Sequence, residues 1–133
     1  MKTVLFACVH NAGRSQMAAA LFNSLTDPAK ARAVSAGTNP GPTVHPEVVA
    51  VMNEVGIDLS AATTTRLTPE LAGTTHMLIT MGCGDACPYV PGVIRDDWPL
   101  EDPKGKSIEA VRSIREELRH RVEALIANEQ WAR

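Results

Sequence analysis

The chain has 133 residues, of which 44% are hydrophobic, and its formal net charge is −2. This length predicts one domain, residues 1–133, and is too short for two. The small net charge gives no reason to expect a nucleic acid or an anionic membrane as a partner, and no apolar stretch approaches the roughly 18 residues of a membrane span. Because the apolar run after Met1 is too short for a signal peptide, we expect a cytoplasmic protein.

Apolar segments typical of strands alternate with helical patterns along the chain. In chain order these are a strand over Thr3–Val9, a helix over Arg14–Leu25, a strand over Ala33–Ala36, a helix opened by Pro46 and closed by Gly56, a short helix after Thr68, a strand over Met77–Met81, a strand over Val93–Ile94, and a helix over Ser107–Asn128. This alternation predicts an α/β fold with a four-stranded parallel sheet and helices on both faces.

Each main helix also has a predicted apolar face. The residues are Met17, Ala20, Leu21 and Leu25 in the first, Val48, Val49, Met52 and Val55 in the second, and Ile108, Val111, Ile114, Leu118, Val122, Leu125 and Ile126 in the last. Ser107 is the predicted N-cap of the last helix. The tail, Glu129 to Arg133, is expected to fray despite Trp131.

The segment from Cys8 to Ser15 joins the first strand to the first helix. Ligands of α/β sheets bind beyond the carboxyl ends of strands, and a helix N-terminus favours anions. Arg14 can hold two oxygens of a tetrahedral oxyanion, and Ser15 can donate its hydroxyl to a thiolate. All of these features favour a reactive thiolate at Cys8. The alternative is a buried structural cysteine beside a solvated arginine, but the spacing and its place at a strand-to-helix turn favour a site.

Cys-x5-Arg-Ser after an N-terminal strand resembles the active-site loop of low-molecular-weight protein tyrosine phosphatases and of the related, thioredoxin-coupled arsenate reductases. The resemblance covers nearly the whole chain and implies a three-layer sandwich. It implies that Cys8 is the nucleophile, that Asn11 braces the loop, and that Ser15 stabilises the thiolate. His10 either tunes the loop or faces solvent. The oxyanion-binding residues implied are Val9, His10, Asn11, Ala12, Gly13 and Arg14.

An adduct on Cys8 needs a proton donor for its leaving oxygen. In the resembling families this donor is an Asp directly before a Pro, on a loop ahead of the last helix, and Asp102-Pro103 matches it. Asp102 could instead only cap a turn, because Asx-Pro is common turn chemistry. Asp97 is the next candidate acid.

The other two cysteines are Cys83 and Cys87. If their segment is helical, their Cα atoms lie about 6 Å apart, within disulfide range. A metal site is disfavoured because two cysteines supply two ligands, and no nearby His pair or second Cys pair completes a tetrahedral set. Two ordinary buried thiols are a further alternative.

The resemblance to the arsenate reductases implies a role for all three cysteines. Cys8 would attack arsenate and lose water with help from Asp102. Cys83 would then attack the Cys8 sulfur and release arsenite, and Cys87 would attack Cys83. The resulting Cys83–Cys87 disulfide would pass to a thiol reductant: thioredoxin, glutaredoxin or a low-molecular-weight thiol.

The resemblance implies no tightly bound cofactor. In addition, the chain departs from some relatives at two places. Gly13 stands where some relatives have a further cysteine. Some relatives bind potassium through an acidic residue of the first helix, but this chain has none over Met17–Ala20, so we expect no potassium or other metal site.

Three functions fit these residues. Arsenate reduction uses every cysteine. A tyrosine or small-molecule phosphatase would use Cys8, Arg14 and Asp102, but such phosphatases typically place an aromatic residue after Asp-Pro, where this chain has Lys104. The aromatic content is also only 4%. A thiol sensor of arsenite or oxidants would require neither Arg14 nor Asp102. The sequence therefore favours arsenate reduction.

Overall fold

The computed structural model describes residues 1–82, 87 and 89–133. Within these residues the strands are β1 (Lys2–Cys8), β2 (Ala31–Gly37), β3 (Met77–Thr80) and β4 (Ile94–Asp97). The helices are α1 (Arg14–Leu25), α2 (Pro46–Asn53), α3 (Pro69–Gly73) and α4 (Ile108–Glu129). None of these helices has the length and apolar character that a membrane-spanning segment needs.

The strands form one parallel sheet in the order β2-β1-β3-β4. Alternate residues of β1 enter two separate apolar clusters: Phe6 and Cys8 join one with side chains of α1, α2 and α4, whereas Leu5 and Ala7 join the other with Ala72 of α3. Burial on both faces explains why β1 is apolar without a break from Val4 to Cys8. The predicted three-layer α/β sandwich is confirmed.

Two predicted helix starts are also confirmed. The Thr68 hydroxyl accepts a hydrogen bond from the Leu71 amide, and the Ser107 hydroxyl accepts one from the Ala110 amide. Such caps satisfy amides that have no partner inside the helix. The apolar stripe of α4 packs as predicted, with its central residues buried.

The predicted last strand was displaced. β4 begins at Ile94 and runs through charged residues to Asp97, so it excludes Val93. It pairs with β3 at the edge of the sheet, and its side chains are exposed, Ile94 by 48%. Charged residues protect an edge strand from pairing with other chains. Because of these charges, β4 does not form an apolar run in the sequence.

Two predicted apolar positions are on the surface. Leu25 at the end of α1 and Val55 after the end of α2 are both exposed. α2 ends at Asn53, and a left-handed turn follows at Gly56, whose φ is +80°. The helical period therefore does not extend to Val55.

The expectation of a frayed tail was wrong. Trp131 is only 7% exposed, and its ring packs against Phe22 with the centroids 5.9 Å apart. The Trp131 carbonyl accepts hydrogen bonds from the Asp27 amide at 2.8 Å and from the Thr26 hydroxyl at 3.0 Å. The tail is fixed because the end of α1 offers a partner that lies about a hundred residues away in sequence.

Charged side chains join α2 to α4. Glu54 accepts hydrogen bonds from Arg112, the shortest at 2.7 Å, and from Arg115 at 2.9 Å. These bonds, first those of Arg112, lower the pKa of Glu54 from its ordinary value of 4.5 to about 2. These two ion pairs hold the C-terminal end of α2 against α4.

Candidate active site

The loop between β1 and α1 turns its carbonyl groups outward. The carbonyls of Cys8, Val9, His10 and Ala12 accept hydrogen bonds of 2.8–3.2 Å from backbone amides of the segment 38–45. In a planar trans peptide the following N–H points away from the carbonyl. The loop therefore presents N–H groups on the side opposite that segment, which is the arrangement of an anion-binding backbone nest.

The N-terminus of α1 adds to this nest. Gly13 caps the helix without a side-chain hydrogen bond, and the first turn of α1 contains no acidic residue. Its first amides therefore stay available to an anion at the positive end of the helix dipole. The geometry fits the predicted oxyanion loop.

Gly37, at the end of β2, allows the loop to approach the sheet. A Cβ atom at Gly37 would lie 2.6 Å from the Val9 carbonyl oxygen and 2.8 Å from the Asn11 nitrogen. Both neighbours are backbone atoms that cannot move without distorting the loop. A residue larger than glycine at this position would therefore displace the loop.

The hydrogen bonds of Asn11 have a direction that the structure determines. Its Oδ1 accepts from the Thr65 amide at 2.8 Å, and a backbone amide can only donate. The other side-chain atom is therefore Nδ2, which donates to the Ser15 hydroxyl at 2.8 Å. Ser15 Oγ, 2.9 Å from Cys8 Sγ, is left to donate its own hydrogen to the sulfur. A directed chain from Asn11 through Ser15 thus ends on Cys8, which favours the thiolate.

Asn11 also suits its position because of its backbone. Its φ is +52°, a left-handed conformation that asparagine tolerates better than most residues. The side chain is fully buried and also accepts a hydrogen bond from Gln16 at 3.2 Å. Asn11 therefore fixes the loop through both its backbone and its side chain, which is the kind of contact that the bracing role implied by the family resemblance would need.

Arg14 is held just inside the start of α1. It is 7% exposed, and its Nη1 donates to the Leu100 carbonyl at 3.1 Å. Nη2 lies 3.8 Å from Oδ2 of Asp102. Nε is buried and has no hydrogen-bond partner among the described residues. A buried donor without a partner costs free energy, so Nε is a group that an oxyanion oxygen would satisfy.

Asp102 makes one contact within a turn and another with Arg14. Its Oδ1 accepts from the Lys104 amide at 3.0 Å, which is the turn-capping role. Its other oxygen faces Arg14, and 44% of its side chain is exposed. The next residue, Pro103, packs on the loop so closely that a Cβ atom at Gly13 would lie 2.5 Å from its Cγ. The segment that carries Asp102 is therefore seated directly on the oxyanion loop.

Asp97 has a different environment. Its Oδ1 accepts a hydrogen bond of 2.7 Å from the Thr80 hydroxyl. This bond joins the ends of β3 and β4, and the Asp97 backbone continues into the segment that leads to Asp102. Asp97 is therefore the less suitable of the two candidate acids.

His10 borders a cleft beside the loop. Its Nδ1 lies 3.0 Å from the Asn39 carbonyl oxygen, which can only accept, so Nδ1 carries the proton. The cleft has a volume of about 410 Å³ and is also bordered by Lys104. The ring is thus neither fully solvated nor bonded to the Cys8 chain.

The described cysteines are both buried. Cys8 is free, whereas Cys87 packs in the second apolar cluster and is disulfide-bonded. Cys83 and the residues between the two cysteines lie outside the described residues, so the condition of a helical segment is not addressed. Among the residues described, no group of three or more His, Cys, Asp or Glu side chains could hold a metal ion.

Three residues of the site were not among those predicted from the sequence. Gln16 donates to Asn11 and to the Thr63 carbonyl, and the Thr65 amide orients Asn11. Gly82 lies against Arg14. Gln16 could have been noticed as a polar residue in the first turn of an apolar helix, but nothing local in the sequence marks the other two.

The sequence model of the low molecular weight phosphotyrosine protein phosphatase family matches residues 3–132. The chain belongs to this family. A Synechocystis protein named glutaredoxin arsenate reductase is 40% identical over 130 residues, which cover 96% of this chain and 98% of that protein. The family resemblance and the prediction of an enzyme are confirmed.

Solved structures agree with this assignment. A thioredoxin-dependent arsenate reductase of Corynebacterium glutamicum has a TM-score of 0.84 and 38% identity over 98% of this chain, which spans 62% of that longer chain. An arsenate reductase described in a phosphate-binding state has a TM-score of 0.82 and 38% identity, covering 96% of this chain and 98% of its own. The YwlE arginine phosphatase of Geobacillus stearothermophilus has a TM-score of 0.81 and 26% identity, covering 98% and 94%.

Proposed function

We propose that this protein is an arsenate reductase in which Cys8 is the nucleophile. The observation that carries the proposal is a free Cys8, hydrogen-bonded by Ser15, beside a buried Arg14 whose Nε has no partner within the described chain. A tetrahedral oxyanion supplies that partner. Relatives that are 30–40% identical over most of the chain are named arsenate reductases, which favours arsenate over a phosphate ester.

The first step forms a bond between Cys8 sulfur and arsenic. The loop amides of Val9 to Gly13 and the guanidinium of Arg14 hold the arsenate oxygens and offset the negative charge that approaches the thiolate. Asp102 donates a proton to the leaving oxygen, which departs as water. The position of Asp102, facing Arg14 across the loop, supports this role.

The later steps move two electrons from thiols to arsenic. Cys83 attacks the Cys8 sulfur, a disulfide forms, and the electron pair of the sulfur–arsenic bond leaves with arsenic as arsenite. Cys87 then attacks Cys83 and frees the Cys8 thiolate. A dithiol reductant of the thioredoxin type reduces the Cys83–Cys87 disulfide, so the enzyme needs no tightly bound cofactor. This chemistry requires a reducing compartment, in accord with a cytoplasmic location.

Turnover with arsenate tests the relay. We expect arsenate-dependent NADPH consumption with thioredoxin and its reductase from the wild type, and no multiple turnover from Cys8→Ser, Cys83→Ser or Cys87→Ser. Hydrolysis of p-nitrophenyl phosphate is the control, because it needs Cys8 but neither of the other cysteines. Wild-type turnover of arsenate by Cys83→Ser and Cys87→Ser would disprove the relay.

A second test concerns the acid. Asp102→Asn should slow the Cys8 chemistry by roughly 10²–10⁴-fold. Asp97→Asn is the matched control, since it removes the same charge at the end of β4, five residues earlier. An effect of Asp97→Asn alone would make Asp97 the acid.

The second candidate function is a phosphatase, which the similarity to an arginine phosphatase favours. It uses the same Cys8, Arg14 and Asp102, so a slow phosphatase activity is expected in either case. Lys104 beside the cleft offers no ring to pack against tyrosine. Measurement of kcat/KM for arsenate and for phosphate monoesters on the same preparation decides between the two functions.

The reductant is tested by exchange. Thioredoxin with its reductase is replaced by glutaredoxin with glutathione, and the rates at saturating arsenate are compared. We expect turnover with thioredoxin. A rate supported solely by glutaredoxin would keep the relay but change the partner.

A further inference from the structure

Gly82 is in contact with the arginine of the oxyanion site. It lies two residues after the end of β3 and directly precedes Cys83 in the sequence. A Cβ atom at this position would collide with Nη1 of Arg14 and would lie 3.4 Å from its Cζ. We propose that Gly82 is a positioning residue: the absence of its side chain provides the space in which the Arg14 guanidinium is oriented toward the oxyanion. The inference rests on the proposed function, because it concerns the affinity of the same site.

The guanidinium also contacts a second segment of the chain. Nη1 donates to the Leu100 carbonyl at 3.1 Å, and Nη2 faces Asp102. Arg14 is therefore confined between the segment at Gly82 and the segment that carries Asp102. Because an arginine side chain is flexible, a methyl group at position 82 would not prevent folding by this contact alone. It would turn the guanidinium away from Leu100, and the fork of donors would lose its alignment with the oxygens of a bound anion.

Backbone strain has to be separated from this displacement. The φ of Gly82 is +86°, where any residue with a side chain is strained. Gly92 has the same φ of +86°, and a Cβ atom there would meet nothing within 4 Å. Gly92→Ala therefore carries the same backbone penalty without touching Arg14, which makes it a closely matched control.

The test measures anion binding directly. Inorganic phosphate is titrated, and its Kd is obtained from the protection of Cys8 against iodoacetamide, followed by mass spectrometry of the Cys8 peptide. We expect Gly82→Ala to raise the Kd about 10-fold or more through loss of aligned, charge-assisted hydrogen bonds, and Gly92→Ala to change it less than about twofold. Without phosphate, Gly92→Ala should leave the rate of Cys8 alkylation unchanged, and the phosphate-free rate of each variant is the reference from which its own protection is measured.

Equal phosphate Kd values for Gly82→Ala and the wild type would overturn the proposal, and so would an equal weakening by Gly92→Ala. The KM for arsenate should rise with the Kd for phosphate. If the wild type fails to reduce arsenate, the proposed function fails, yet the phosphate measurement still tests Gly82. If arsenate is reduced and the phosphate Kd is unaffected, the role of Gly82 alone is disproved.

A second measurement covers the case in which Gly82→Ala folds poorly. In urea unfolding, Gly82→Ala should lower the midpoint more than Gly92→Ala does, because it adds a collision to the same strain. In an Arg14→Ala background this excess should disappear, since the space is then empty. An excess that persists in that background would place the collision elsewhere and refute the proposal.

Discussion

Asn11→Asp tests the directed hydrogen-bond chain that ends on Cys8. The substitution keeps the size of the side chain and the oxygen that accepts from Thr65 and Gln16. It replaces the Nδ2 donor, 2.8 Å from Ser15 Oγ, with a carboxylate oxygen. The Ser15 hydroxyl would then donate to that carboxylate and no longer to the Cys8 sulfur.

The magnitude follows from two contributions to the free energy of the thiolate. A hydrogen bond to a charged group contributes about 1.5–3 kcal/mol. A new carboxylate within about 6 Å of the sulfur adds a repulsion on the order of 3 kcal/mol at an effective dielectric constant near 20. The thiolate-to-thiol ratio of Cys8 should therefore fall by at least about 100-fold, since roughly 1.4 kcal/mol corresponds to each factor of ten.

The assay is the rate of Cys8 alkylation by iodoacetamide at pH 7, resolved by mass spectrometry of the Cys8 peptide. Asn53→Asp, on the exposed end of α2, is the control for a change in overall charge. Urea unfolding shows whether the variant is folded. A folded Asn11→Asp protein that is alkylated at the wild-type rate would refute the deduced direction of the chain.

Three further predictions concern packing and charge. Gly13→Cys should lower the kcat for arsenate by about 10-fold or more, because its side chain would push Pro103 and the segment of Asp102 away from the loop. Gly41→Ala is the control, since its Cβ atom would make only ordinary contacts, the nearest at 3.8 Å. Equal kcat values for the two variants would contradict this prediction. Glu54→Gln should reduce the free energy of unfolding at pH 7 but not at pH 2. The reason is that folding lowers the pKa of Glu54 from 4.5 to about 2, so its ion pairs add stability above pH 4.5 and this stability is lost as the pH falls toward 2. Urea unfolding midpoints of the wild type and the variant are compared at both pH values. A difference between the two proteins that is as large at pH 2 as at pH 7 would argue against the ion pair. Trp131→Ala should cost about 3–5 kcal/mol of unfolding free energy, and a loss below about 1 kcal/mol would show that the tail is not part of the core.

The features that could be predicted from sequence are those built from near neighbours. The strand, the oxyanion loop and the start of α1 form one stretch from Lys2 to Ser15, so local patterns and the end of a helix were sufficient to place Cys8 and Arg14 together. Helix caps such as that of Ser107 are equally local. The family resemblance supplied Asp102, whose distance from Arg14 in sequence no local pattern bridges.

The sequence by itself thus determined the class of the fold and the loop that holds Cys8, the predicted nucleophile. Tertiary structure alone decided which segments distant in sequence meet: the Thr65 amide orients Asn11, the glycine at position 82 leaves space for Arg14, and the end of α1 fixes Trp131. The reason is physical. A backbone hydrogen bond between distant segments, or the space that a glycine leaves for a neighbour, depends on where those segments meet in the fold. The order of the strands and the packing of the helices determine these meeting points.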